Sequence, residues 1–567
     1  MHIDAIPNRG SRPAYLLRES YREGPRVLKR TLANLSSLPD EQIFAIRAIL
    51  RGESLAPVAS VFEAIASRTH GHVQAVRRAM QRLGFAQLIG TRPSAERDLV
   101  CAMVAARILA PHTKLATTRW WHTTTLAQEF GVEYADENDL YHAMDWLLER
   151  QAVIEKKLAQ RHLSGGGVVL YDLSSSYFEG TCCPLAKLGH NRDGKKGKLQ
   201  VNYGLVTDAR GRPVAVSVFE GNTADCKTVL PQVRRIQADF GIEHMVLVGD
   251  RGMISQKAIE EFKRVPGVAW ITALKSAQIR ALADEGGVQL GLFDERNLLE
   301  FTHPDYPGER LVACRNAQLA HLRAAKRSSL LQATAAELDQ VCAMVARKTL
   351  AGADKIGVRV GRVVNKYKVA KHFELTIEKT SFSYRIDQEK VEQEAALDGI
   401  YVLRTPLRAE FITAADVVRS YKSLSDVERA FRSLKTVDLK VRPIHHHLPD
   451  RVRAHILLCM LAYYAEWHMR EAWRVLLFAD EDQCAKATRD PVAPARRSKD
   501  AELKAQTHTL NDGTPAQSFR TLLDELSTIV RNTCRTTTDS AQAPFTIVTQ
   551  ANPVQQRALK LLDTITV

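Results

Sequence analysis

The stretch that most restricts the fold runs from Gly165 to Leu274, an ordered series of strand and helix signals. Val168 to Tyr177 is apolar and aromatic, the composition of a buried strand. Leu199 to Val206 follows, then the turn signal Thr207-Asp208-Ala209-Arg210-Gly211-Arg212, then Val214 to Phe219. Asp225 to Phe240 carries Val229, Val233 and Ile236 at helical spacing, with Thr223 or Asp225 as N-cap. His244 to Val248 is a further strand, ending in Gly249-Asp250-Arg251-Gly252. A short helix to Arg264 and a strand from Val268 to Leu274 close the series. Three antiparallel strands followed by strands alternating with helices require an α/β fold.

At 567 residues the chain is too long for one core, and the flanks read differently from this centre. Residues 1–164 read as mainly helical after a short irregular or extended start. Two helices, Val61 to Ser67 and His72 to Leu83, are expected around a Thr69-His70-Gly71 turn. The second carries Arg77, Arg78 and Arg82, a basic face suited to the ends of a DNA substrate. A similar pair from Leu126 to Leu148 carries Glu137, Asp139 and Asp145, with Glu149 just beyond, which repel phosphates, so it reads as packing. Residues 165–274 and 399–480 read as two parts of one core, the second with a strand at Gly399 to Leu403 and a helix from Thr413 to Lys435. Residues 275–398 between them are too long for a loop. They are expected to form an inserted, mostly β module, with a charged helix near Leu330 to Arg347 and strands at Gly357 to Val364, Phe373 to Ile377 and Ser381 to Ile386. Residues 481–567 read as a connector, Asp490 to Gln506, then a helix from Phe519 to Arg531, a candidate dimerisation region.

Charge narrows the function. Seventy-nine Lys and Arg against 64 Asp and Glu leave +15, which suits a polyanionic partner, nucleic acid before acidic membrane. Met1 to Pro25 has four arginines and no apolar core of a secretory signal. Ile456 to Trp467, the most apolar run, is too short to span a bilayer and reads as a buried helix. Nine cysteines without a CxxC pair argue against a disulfide scaffold or zinc ribbon, so a reduced cytoplasmic, nucleoid-associated setting is expected. Walker A and dinucleotide fingerprints are missing from the sequence.

The acids carry the chemistry. Asp172 interrupts the apolar run Val168-Val169-Leu170-Tyr171-Asp172-Leu173, where an ionised carboxylate is costly unless paired or bound to a cation. Asp250 ends another buried run. The strand order is that of an RNase H-like fold, in which the first and fourth strands are neighbours, so the two carboxylates would meet. Two like charges so close call for a divalent cation. On the helix, at about 100° per residue, Tyr421, Ser425, Glu428, Arg432 and Lys435 share a stripe about 80° wide. Leu424, Val427, Phe431 and Leu434 form a separate apolar stripe. A plain amphipathic helix explains the apolar stripe, but not a lone acid ringed by groups that bind phosphate.

With these residues in view, the chain resembles bacterial insertion-sequence transposases of the DDE type, over most of its length from about Arg18 to Leu562. The sharpest parts are the Tyr171-Asp172-Leu173-Ser174-Ser175-Ser176 strand, the Gly249-Asp250-Arg251-Gly252 turn and the Tyr421/Glu428/Lys435 helix. One branch carries Tyr, Arg, Glu and Lys at this spacing and a β-rich insertion before the Glu. Leu424 stands at the Arg position, and Arg432, one turn beyond Glu428, is the expected replacement. The resemblance implies DNA cleavage at the element's terminal inverted repeats, then joining of the freed 3′-hydroxyls to target DNA. Asp172, Asp250 and Glu428 would be the catalytic residues and would hold two Mg²⁺ ions, with Mn²⁺ able to substitute. Tyr421, Arg432 and Lys435 would grip phosphates beside the scissile bond. Lys195, Lys196 and Lys198 form a basic loop that tracks DNA or is merely solvated. His445-His446-His447 looks like a metal cluster, but adjacent histidines diverge, so a loop or a DNA contact is expected. Double-stranded DNA is the expected partner, in a homodimer that brings two ends together, with no membrane role. The competing readings are an RNase H-fold nuclease without strand transfer and a non-catalytic DNA-binding regulator derived from a transposase.

Overall fold

The arginine-rich start of the chain is a β meander in the computed structural model, which describes residues 1–53, 61–285, 293–294, 297–483, 488–493, 496–537 and 543–567. Strands β1 (His2–Asn8), β2 (Ser11–Glu23) and β3 (Arg26–Asn34) pair antiparallel in that order, and a helix, Asp40–Leu50, follows. The segment expected as a helix at Val61 to Ser67 is instead strand β4 (Phe62–Thr69). Its partner is supplied from far along the chain, and pairing with it overrides the local helix signal. The helix pair expected there does not form. Only its second member exists, Gly71–Arg82.

The central series folds as its periodicities indicate. β5 (Val168–Tyr177), β6 (Gln200–Asp208) and β7 (Pro213–Glu220) form an antiparallel meander. A helix, Cys226–Phe240, leads to β8 (Met245–Val248), and a second, Gln256–Phe262, to β9 (Val268–Ala273). β8 lies parallel to β5 on one side and to β9 on the other. β8 is buried along its whole length, and its four residues, Met245 to Val248, are accordingly all apolar.

The interruption between residues 275 and 398 departs from expectation. Its first strands, β10 (Leu298–Phe301) and β11 (Arg310–Arg315), join the central sheet rather than a separate module. The rest is mostly helical: Ala317–Ala346, Ala353–Tyr367 and Gln388–Ala395, with one hairpin, β12 (Phe373–Ile377) and β13 (Phe382–Ile386). Gly357 to Val364, expected as a strand, lies inside the second helix. Its valines and Ile356 recur at helical as well as alternating positions, and the helical face wins because it packs on Leu331, Leu338, Val341 and Val345. β14 (Ile400–Thr405) returns to the sheet, whose full order is β10-β11-β14-β9-β8-β5-β6-β7.

Beyond it, Pro449–Ala472 is a helix buried along most of its length, as its apolar run requires. Among the described residues no single helix is long and apolar enough to cross a membrane. The C-terminal region is not simply helical. Lys499–Thr507 is a helix inside the expected connector, of which residues 494 and 495 lie outside the described set. After the helix Phe519–Ser527, β15 (Val530–Thr536) pairs with β4 and with β16 (Phe545–Val548). Met1–Thr69 with Ile529–Gln550 forms one unit, and His70–Thr528 with Ala551–Val567 the other.

One glycine in the sheet is required sterically. A Cβ at Gly204 would lie 2.2 Å from the Tyr171 hydroxyl and 2.6 Å from its ring, and both strands are buried. Gly204→Ala should therefore destabilise the protein by about 1–3 kcal/mol through overpacking, read as a lower denaturation midpoint. An unchanged midpoint would show that the Tyr171 ring can move aside.

Candidate active site

Parallel pairing brings the first two acids together. Val168 faces Val246 and Leu170 faces Val248, and the same offset carried two residues on sets Asp172 opposite Asp250, just where the β8 ladder ends. Asp250 turns the chain, its Oδ1 accepting from the backbone N–H of Gly252 at 3.1 Å and of Met253 at 2.7 Å. Asp172 remains within β5 and accepts from the N–H of Leu173 at 2.8 Å.

The third acid arrives on a bent helix. Ala414–Lys422 starts at Thr413, whose hydroxyl accepts from Asp416 N at 3.2 Å and donates to the Asp416 carboxylate at 2.7 Å. The expected single helix is divided at Ser423, and Leu424–Arg432 continues from it. Ser423 keeps helical dihedrals and its carbonyl accepts from Asp426 N at 2.8 Å, so the step is a tightened turn, not a stop. Val427, Ala430 and Phe431 are buried, with the Phe431 ring 5.8 Å from that of Tyr203. Glu428 is exposed on the other side.

Electrostatics link the three carboxylates. Burial pushes the Asp172 carboxyl up to about 7; the Leu173 N–H opposes this, Asp250 adds to it, Arg192 opposes it and Glu428 adds to it. Tyr421 is pushed up by burial and by the charges of Asp250 and Glu428, against Arg251. Asp172 and Tyr421 thus each lie within electrostatic reach of both Asp250 and Glu428.

The other residues expected there are divided. Past Arg432 the helix widens into a π turn, Ser433–Val437, where the 100° arithmetic fails. Lys435 is buried and donates to Asp193 at 2.8 Å and to Ser174 at 3.0 Å, two residues along β5 from Asp172. Burial lowers its pKa, and Asp193 counters this. Lys435 is thus a neutralised member of the site wall rather than an open phosphate grip. Arg432 is exposed, and the guanidinium acting on Asp172 is that of Arg192, held by Asp225 at 2.6 and 2.7 Å. Asp225 spends its carboxylate on this pair and does not cap its helix. Leu424 is only half-buried, so it is not the core residue the apolar stripe suggested. Asp193 and Arg192 have no sequence signal because they lie in a loop with no periodicity, and Asp225 shows in the sequence only as an N-cap.

The basic loop is exposed, with Lys198 paired to Glu179 at 3.0 Å, Lys195 over the Tyr177 ring at 5.9 Å and Lys196 exposed. On Gly71–Arg82, Arg77 pairs with Glu129 at 3.2 Å and Arg78 with Asp563, while Arg82 is exposed. With two of its three cations answered and no first helix, the expected helix-turn-helix is not built. His446 turns inward against His455 and Tyr141, whereas His445 and His447 are exposed, so the three do not converge. Glu285, His303 and Asp305 do place ligand atoms within 4.8 Å of one another. His303 Nε2 lies 3.2 Å from the Glu285 carboxylate, and its Nδ1 accepts from the Asp305 N–H at 3.3 Å.

Residues 165–465 match the family described as Transposase DDE domain, and residues 3–57 match the IS1634 family transposase, N-terminal domain. No curated protein matches the chain. Among solved structures, it is similar to the piggyBac transposase in a synaptic complex with hairpin DNA, at 8% identity and a TM-score of 0.33, over 80% of this chain and 77% of that one. The family match spans more than half of the sequence and contains all three carboxylates, and the chain belongs to the DDE transposases of insertion sequences.

Proposed function

We propose that the chain cleaves DNA at the ends of its element and joins the 3′-hydroxyls to a target, using Asp172, Asp250 and Glu428 on an RNase H-like core. The observation that carries this reading is the Asp172 carboxyl inside its strand, pushed up to about 7 by burial, with the charges of Asp250 and Glu428 adding to the rise. Such a set of hard oxygen donors fits divalent metal, and Mg²⁺ better than Zn²⁺, because a cation removes the repulsion that burial amplifies. Bound there, a pair of divalent ions would activate the attacking oxygen and stabilise the leaving one. The chain's own groups do the rest. Tyr421 borders Asp250 and Glu428 and orients the phosphate next to the scissile bond. Lys435 and Asp193 hold the floor of the site rigid beneath Asp172. Arg432, exposed one turn beyond Glu428, remains the cation for the phosphate on that side.

The partner is double-stranded DNA, and a two-fold dimer is the simplest assembly that brings two ends together. Incubation with the element's own end DNA, target DNA and Mg²⁺ should give nicked ends and then joined products. Cleavage without joined products would favour a nuclease, and no cleavage a binding protein. Arg432→Ala should depress cleavage more than Leu424→Ala does. Because Leu424 is half-buried, its truncation should cost less than the roughly 2–5 kcal/mol of a fully buried leucine. Full cleavage by Arg432→Ala would dismiss that role.

A further inference from the structure

A groove of about 1110 Å³ opens beside the acids, with Asp250, Arg251 and Tyr421 on one wall and the inserted helices on the other. Ala317–Ala346 divides its labour along its length. Its C-terminal half packs into the module's own apolar core through Leu331, Leu338, Val341 and Val345. Its N-terminal half turns Arg323, Lys326 and Arg327, at i, i+3 and i+4, toward the groove. Arg280 comes from the helix Ser276–Asp284, and Lys368 from the left-handed residue after Ala353–Tyr367.

Charge pairing within the groove is incomplete. Three cations are answered by carboxylates: Arg327 by Asp398, Lys366 by Glu337 and Lys371 by Glu394. Arg251, Arg280, Arg323, Lys326 and Lys368 are exposed and have no carboxylate within ion-pair distance among the described residues. Packing does not explain them, since none is buried. Their shared place along a cavity that Asp250 also lines is what a chain of phosphates would require.

We propose that this groove holds the phosphodiester backbone of the substrate strand as it runs away from the carboxylates, with the inserted helices supplying the cations that the sheet lacks. The proposal rests on the transposase reading above for the identity of the polymer. It assigns the insertion a binding task distinct from metal binding and from the Gly71–Arg82 helix.

The test is a salt titration of binding with two probes, a generic duplex and a poly-dT oligonucleotide of equal length, with the full chain. Arg280, Arg323, Lys326 and Lys368 are changed together to Gln; Arg251 is left alone because it adjoins Asp250. A control of equal charge loss changes the exposed Lys156, Arg234, Lys257 and Arg264 to Gln, none of which lines the groove. The groove variant should lower the slope of log K against log salt by about 3–4 on duplex or about 3 on single strand, and weaken binding roughly 10²–10³-fold near 0.1 M salt. Loss on both probes, or on poly-dT alone, supports the groove, the second outcome assigning it an unpaired strand. Equal loss in the control, or an unchanged slope in the groove variant with an intact thermal melt, overturns the proposal. Wild-type cleavage and joining, measured in parallel, tests the transposase reading separately, because binding does not depend on the chemistry.

Discussion

Asp172→Asn, Asp250→Asn and Glu428→Gln should each lower strand cleavage by about 10³-fold or more while leaving DNA affinity nearly unchanged. Each substitution removes one charged oxygen donor from a set of three and keeps the side chain's volume. The fold should tolerate it, because Asp250 and Glu428 are exposed, and Asp172 sits where its charge is resisted by burial and by both neighbours. Asp172→Asn should even raise thermal stability in the absence of metal, since an amide needs no counter-charge. Cleavage assays on labelled end DNA and anisotropy on the same probe measure both halves. Near-normal cleavage by Glu428→Gln would remove that residue from the site.

Asp193→Asn should have the largest effect on stability, about 3–5 kcal/mol, because it leaves a buried lysine and a partly exposed arginine without their counter-ion. The Asp193 carboxylate is only 2% exposed and answers both Lys435 and Arg442, while its other oxygen accepts from Tyr177 N at 2.9 Å. An amide preserves the contact to Tyr177 but leaves the lysine, whose side chain is 10% exposed, without a counter-ion. Adding Lys435→Met should recover part of the loss, because an apolar side chain needs no partner there. Urea denaturation would measure both variants, and a loss below about 1 kcal/mol for Asp193→Asn would show that water already reaches Lys435.

The centre of this protein follows from its local residue pattern. Alternation and helical periodicity are local, and β5 to β9 with their two helices follow them because each element buries the face its own residues specify. An aspartate inside an apolar strand and another at the end of a second are likewise visible without coordinates, since the cost of burying charge is a property of the residue and its neighbours. Tertiary structure decided everything that depends on a distant partner. Phe62–Thr69 is a strand because β15 pairs with it, and residues 357–364 are a helix because Leu338 and Val341 pack on that face. Asp193 joins the site only through its ion pair with Lys435, and Arg192, held by Asp225, only through its charge acting on Asp172. A strand or helix signal repeats every few residues, whereas an ion pair across folded layers leaves no period in the chain.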